Sequence, residues 1–86
     1  MGLDGAIRLS EAQPGDQLYL LSVQQKRALR WLIQHGISDE VSLLVTSMFP
    51  NGVRLTSDGQ LFTVPAWVAR QTVVHRFRKV VKIGTQ

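Results

Sequence analysis

Apolar residues along the chain fall into short runs, and their spacing changes from one run to the next. Gln17–Val23, QLYLLSV, is apolar and aromatic enough for a strand. In the following QQKRALRWLIQHG, Leu29, Leu32, Ile33 and Gly36 fall at i, i+3, i+4 and i+7, which is one face of a helix. The spacing predicts a helix over residues 26–35 with Leu29, Leu32 and Ile33 as its core stripe. Gly36 supplies the left-handed residue that commonly ends a helix, and Ile37 just beyond can fold back onto the apolar face. Residues 41–49 are β-branched and apolar, long enough for a strand that bends. Asn51-Gly52 and Asp58-Gly59 are hairpin turns, so residues 53–57 and 60–64 complete a three-strand meander. Pro65 ends that meander and opens one helical turn in PAWVARQ, where Trp67 is expected in the core. Residues 72–83 form the last strand, with Val73, His75, Phe77, Lys79, Val81 and Ile83 on one face.

The order is strand, helix, three meander strands, helical turn, strand. One helix cannot cover a flat sheet of five short strands, whereas curling the sheet removes exposed edges and encloses one core. The expected fold is mainly β: a small SH3-like barrel of about five strands with one α-helix inserted after the first strand. Residues 1–8 and 84–86 are expected as tails and residues 9–83 as the domain.

At 86 residues only one small domain is available, and domains of this size bury about 60–65% of their unfolded surface. A 44% hydrophobic and 19% charged composition is that of a folded domain, not a disordered chain. The net charge of +4 is uneven: residues 44–86 carry six bases and one acid, Asp58. A basic C-terminal half suits nucleic acid, an anionic lipid or an acidic protein surface, and it equally suits a solvated strand face. No secretory leader, myristoylation signal or long apolar span is visible, which implies a cytoplasmic chain with no direct membrane insertion.

Candidate chemistry is sparse. With no cysteine there is no disulfide, thiol chemistry or thiolate metal site. The two histidines, His35 and His75, lie in segments with no recognisable nucleophile motif, and no P-loop run exists, so no catalytic residue is assigned. His35 and Asp39 can converge across the turn that follows the helix, but two ligands make a weak metal site. His35 near the helix C-terminus also complements the macrodipole when protonated. Neither a metal nor a cofactor is expected. Asp39 and Glu40 fit solvated loop charges better than a metal pair. Ala28, Trp31 and His35 form a second helical stripe, displaced from Leu29, Leu32 and Ile33. Trp31 either covers the barrel rim or, with Arg27 and His35, forms a docking face for a partner or a second copy. Arg76, Arg78, Lys79 and Lys82 on the last strand are candidate contacts for an acidic partner or nucleic acid, with Phe77 and Trp67 available to stack on bases.

LSEAQPGD before the first strand, LIQHGIS ending the helix and VSLLVTSMFPNG after it resemble the FeoA family, small cytoplasmic accessory proteins of bacterial ferrous-iron uptake. The similarity runs from about Leu9 to Val74, and the same SH3-like domain recurs at the C-terminus of diphtheria-toxin-repressor-type metalloregulators. Asp39-Glu40 stands where the family usually has Pro-Gly, and TVPAWVA replaces the usual basic segment after the fourth strand. The resemblance implies a non-catalytic protein that binds and modulates FeoB, the membrane transporter for ferrous iron with a cytoplasmic GTPase domain. The helix stripe and the basic last strand, not the resemblance, make Arg27, Trp31, His35, Arg76, Arg78 and Lys79 the candidate partner contacts. The alternative is a small-barrel regulatory module that binds nucleic acid or another protein through its basic C-terminal strand.

Overall fold

Alternation along the strands sorts the chain into an inward and an outward sheet face. In the computed structural model, which describes residues 5–37 and 41–77, Leu18 and Leu20 are buried while Gln17, Tyr19 and Leu21 are exposed. Leu43 and Val45, Val53 and Leu55, Val64, and Thr72 and Val74 continue the buried set on the other strands. The chain runs β1 (Gly5–Arg8), a 3-10 turn (Leu9–Glu11), β2 (Gln17–Val23), α1 (Lys26–Gln34), β3 (Ser42–Phe49), β4 (Gly52–Ser57), β5 (Gln60–Pro65), α2 (Ala66–Ala69) and β6 (Thr72–Phe77). All pairings are antiparallel in one sheet of order β1-β6-β2-β3-β4-β5.

The fold is mainly β, but the described residues form six strands, not five. Residues 5–8, expected in an N-terminal tail, pair with β6 in the register Gly5↔Arg76 to Arg8↔Val73. Their only long apolar side chain is Ile7, so no run announces the strand, and its place comes from the free edge of β6. The sheet curls far enough for the 3-10 turn to pack on β4, β6 and α2, yet β1 and β5 do not pair and the sheet stays open. Residues 78–83 of the expected last strand lie outside the described residues, as do residues 1–4 and 84–86 of the expected tails.

The Asp58-Gly59 turn follows its sequence signal, whereas the first hairpin turns on Pro50-Asn51 and leaves Gly52 as the first residue of β4, paired with Phe49. Asp58 (φ 51°) and Gly59 (φ 80°) are both left-handed, the geometry of a two-residue hairpin turn matched to strand twist. Gly52 is required for a different reason: a Cβ there would sit 2.7 Å from the Val64 carbonyl oxygen. Buried Asp16 accepts the Gln13 N–H at 2.9 Å and so braces the Pro14-Gly15 turn. Thr72 donates its hydroxyl to the Val68 carbonyl at 2.8 Å, which ties α2 to β6 inside the core.

The helix ends as its glycine predicts and turns otherwise. With Gly36 at φ 82°, the Ile37 N–H donates to Leu32 O at 2.9 Å and the Gly36 N–H to Ile33 O at 3.0 Å, a Schellman end. Ile37 is thereby returned to the core beside Leu32. The buried helix positions are Ala28 and Leu32, with Trp31 half-buried against them. Leu29 and Ile33, expected in the core stripe, are 40% and 62% exposed. The physical reason is arc width. At about 100° per residue, Trp31, Ala28, Leu32, Leu29 and Ile33 sweep about 200° of the wheel, twice what one core-facing stripe needs. Packing therefore chooses which half goes inside. Helix α1 packs against α2 and buries Ala28 and Leu32, and Ile37 contributes apolar volume to the same core. Trp67, expected in the core, is 37% exposed on α2, with the Arg27 guanidinium 5.5 Å from its ring centre.

Two stability measurements check this packing. Leu32→Ala should cost about 2–4 kcal/mol in denaturant unfolding, as buried large-to-small changes do. Ile33→Ala should cost under about 0.5 kcal/mol, as exposed changes do; equal losses would put Ile33 back in the core. Gly52→Ala should cost about 1–3 kcal/mol, because the new methyl meets backbone and not a movable side chain.

Candidate functional site

Three surface groupings bring chemistry-bearing side chains together. The first is the C-terminal end of α1. The Trp31 and His35 rings stack 3.8 Å apart at 16°, and His35 Nδ1–H donates to the Trp31 carbonyl at 2.8 Å. The same Trp31 carbonyl also accepts the His35 backbone N–H at 3.2 Å, so ring and backbone of His35 close on one acceptor. Trp31 packs on the core cluster, so its ring covers the core edge while His35 covers the ring. Arg27, on the same helix, is drawn to Trp67 by a cation–π contact. The helical pair is thus held by its own neighbours. Asp39, the candidate second ligand beside His35, and Glu40 lie outside the described residues. Among the described residues no three His, Cys, Asp or Glu side chains cluster. No helix among them is long and apolar enough to cross a membrane.

The second grouping is the outward face of β2 and β6. Tyr19 lies across from His75, and Phe77 meets both rings edge-on, with centres 5.1 Å and 4.5 Å apart. Arg76 alternates to the inward side, where its guanidinium stands 3.8 Å from the Asp16 carboxylate and its Nε has no hydrogen-bond partner among the described residues. Its charge therefore serves the turn that Asp16 braces. Arg78, Lys79 and Lys82 lie outside the described residues.

The third grouping was not anticipated. Pairing between β2 and β6 slips between Leu20 and Ser22, which makes Leu21 a bulge residue. A bulge re-aims its side chain, and here Leu21 is 51% exposed toward α1. Leu21 and Val23 on one side and Leu29 and Ile33 on the other wall a groove of about 290 Å³. Buried Leu20 and Ile37 line it from the core side. Lys26 and Arg30 line the outer shoulder of the same Leu29/Ile33 ridge. A sequence signal for this site exists: adjacent Leu20-Leu21 breaks the alternation of QLYLLSV, and such a break in an otherwise alternating strand suggests a bulge.

No protein-family profile matches the chain, and no curated protein matches it in sequence. Solved structures do match. FeoA, an iron uptake regulatory protein, superposes with a TM-score of 0.75 at 21% identity over 85% of this chain and 100% of its own. FeoA protein from Chlorobium tepidum gives 0.72 at 25% identity over 90% and 76%. A manganese-dependent transcriptional repressor gives 0.76 at 19% identity, but this chain spans only 37% of its length. The strand order, the helix after β2 and these superpositions agree: the chain has the FeoA-like, SH3-like fold.

Proposed function

We propose that this chain is a non-catalytic, cytoplasmic accessory domain of ferrous-iron uptake that binds and modulates a FeoB-type transporter. The observation that carries the reading is a FeoA-like fold matched over the whole length of the FeoA chain, joined to an apolar groove that no described residue fills. Such grooves on small domains mark binding surfaces. On this reading the chain acts by binding, and its effect on transport is exerted on the partner. The test is capture of the transporter's cytoplasmic domain by the immobilised chain, together with iron uptake in a strain lacking it. Saturable capture and reduced uptake, both restored by the intact chain, are expected. Absence of both would exclude the reading.

A second reading rests on the Tyr19–Phe77–His75 cluster, an aromatic platform on an open sheet face of a basic chain. Aromatic platforms beside cations bind single-stranded nucleic acid by stacking, worth about 1–3 kcal/mol per base. It ranks second because Arg76, the described cation nearest Phe77 in sequence, is committed to Asp16. On this reading Phe77→Ala should weaken oligonucleotide binding about fivefold or more in fluorescence anisotropy. On the accessory reading the intact chain should show only weak, salt-sensitive retention on heparin.

A further inference from the structure

We propose that the groove between β2 and α1 is the docking site for an acidic amphipathic helix of the partner protein. The proposal rests on the accessory reading only in naming that partner as the transporter's cytoplasmic domain.

Three observations converge on the groove. Its walls are apolar, and the Leu21 bulge and the Leu29/Ile33 ridge present apolar side chains to solvent that the fold does not need for its core. An amphipathic helix laid in a groove places anchors at i, i+3, i+4 and i+7 into such a trough. The second observation is charge. Helix α1 carries Lys26, Arg27 and Arg30 and no acid, and Lys26 and Arg30 flank the ridge. The third is that Lys26 and Arg27 stand in the first turn, where the macrodipole disfavours cations, and the N-cap Gln25 provides no side-chain hydrogen bond. A helix that breaks its own local rules at one end is the pattern of a site kept for binding.

The same features select among occupants. A second copy would bring one unbalanced α1 against another and set Lys26 and Arg30 against like charges. A bilayer surface needs a convex apolar crown, whereas Leu21, Leu29 and Ile33 wall a concavity whose aromatic neighbour, Trp31, turns to the core. A helix with apolar anchors and flanking carboxylates fits both the trough and the charge. Its carboxylates would speed encounter, and its anchors would set residence time.

The test uses the full chain and a fluorescent helical peptide of about 15 residues, with Leu at i, i+3, i+4 and i+7 and Glu on its flanks. A control peptide carries Lys in place of Glu. The acidic peptide should bind with an affinity that falls as salt rises, and the Lys peptide should bind at least about tenfold more weakly. Ile33→Asp should reduce acidic-peptide binding at least about tenfold with an unchanged melting temperature, and Leu21→Asp serves as an independent variant at another wall. Lys26→Glu with Arg30→Glu should mainly slow association. Equal binding of both peptides, no binding of the acidic one, or unchanged affinity in both folded wall variants would overturn the proposal. So would saturable binding to anionic phosphatidylserine vesicles, or self-association, that the wall variants abolish while peptide binding stays intact. The transporter's cytoplasmic domain separates the two readings. If it binds the intact chain and both wall variants equally, the groove assignment fails and the accessory role stands. If it does not bind but the acidic peptide does, the groove stands and its partner is another protein.

Discussion

The structure depends on a single shortage: one nine-residue helix must help close a core made by a six-stranded sheet. A small domain cannot leave that sheet face open, because the fraction of surface it buries is already low. The sheet responds by curling, and the 3-10 turn after β1 reaches across to β4 and α2. The strands then supply most of the core, through Leu18, Leu43, Leu55, Val64 and Val74. Helix α1 is asked for only a narrow contact, met by Ala28 and Leu32 and completed by Ile37 at its Schellman end. The surplus of its apolar arc is left outside. In this way a packing constraint at the core produces the surface that the chain can use for binding.

The same constraint separates what the sequence makes legible from what it does not. Gln17–Val23, the Asp58-Gly59 hairpin turn and the Gly36 helix stop are local matters, governed by period, turn chemistry and left-handed residues, and they stand where the residues indicate. The orientation of α1 is not local. Trp31, Ala28, Leu32, Leu29 and Ile33 form one broad apolar arc, and the larger side chains of Leu29 and Ile33 make the wrong half look like the core. Packing against the rest of the core, which buries Ala28 and Leu32, decides it. Strand β1 is similarly hidden, since four residues with one long apolar side chain become a strand only because β6 offers an edge.

The candidate site follows that division. The helical pair Trp31 and His35 draws attention in the sequence as a partner face, and the structure holds the two rings stacked against each other at the core's rim. Arg76 reads as a free cation in a basic strand, but strand alternation turns it inward to Asp16. The groove residues had been assigned elsewhere: Leu29 and Ile33 to the core stripe, Leu21 to a strand. A bulge, a helix rotation and a curled sheet must all be in place before these three side chains meet, and none of them is visible in a single-sequence pattern except the Leu20-Leu21 break.

The proposed division of labour on α1, with one half of the arc for folding and the other for binding, is tested most directly by backbone amide NMR. Isotope-labelled chain would be titrated with the unlabelled cytoplasmic domain of the transporter. Amide shifts should concentrate at Leu21, Ser22, Leu29 and Ile33, with Leu18, Leu55 and Val74 nearly unmoved. Shifts centred instead on Tyr19, His75 and Phe77, or spread evenly through the core, would contradict that division.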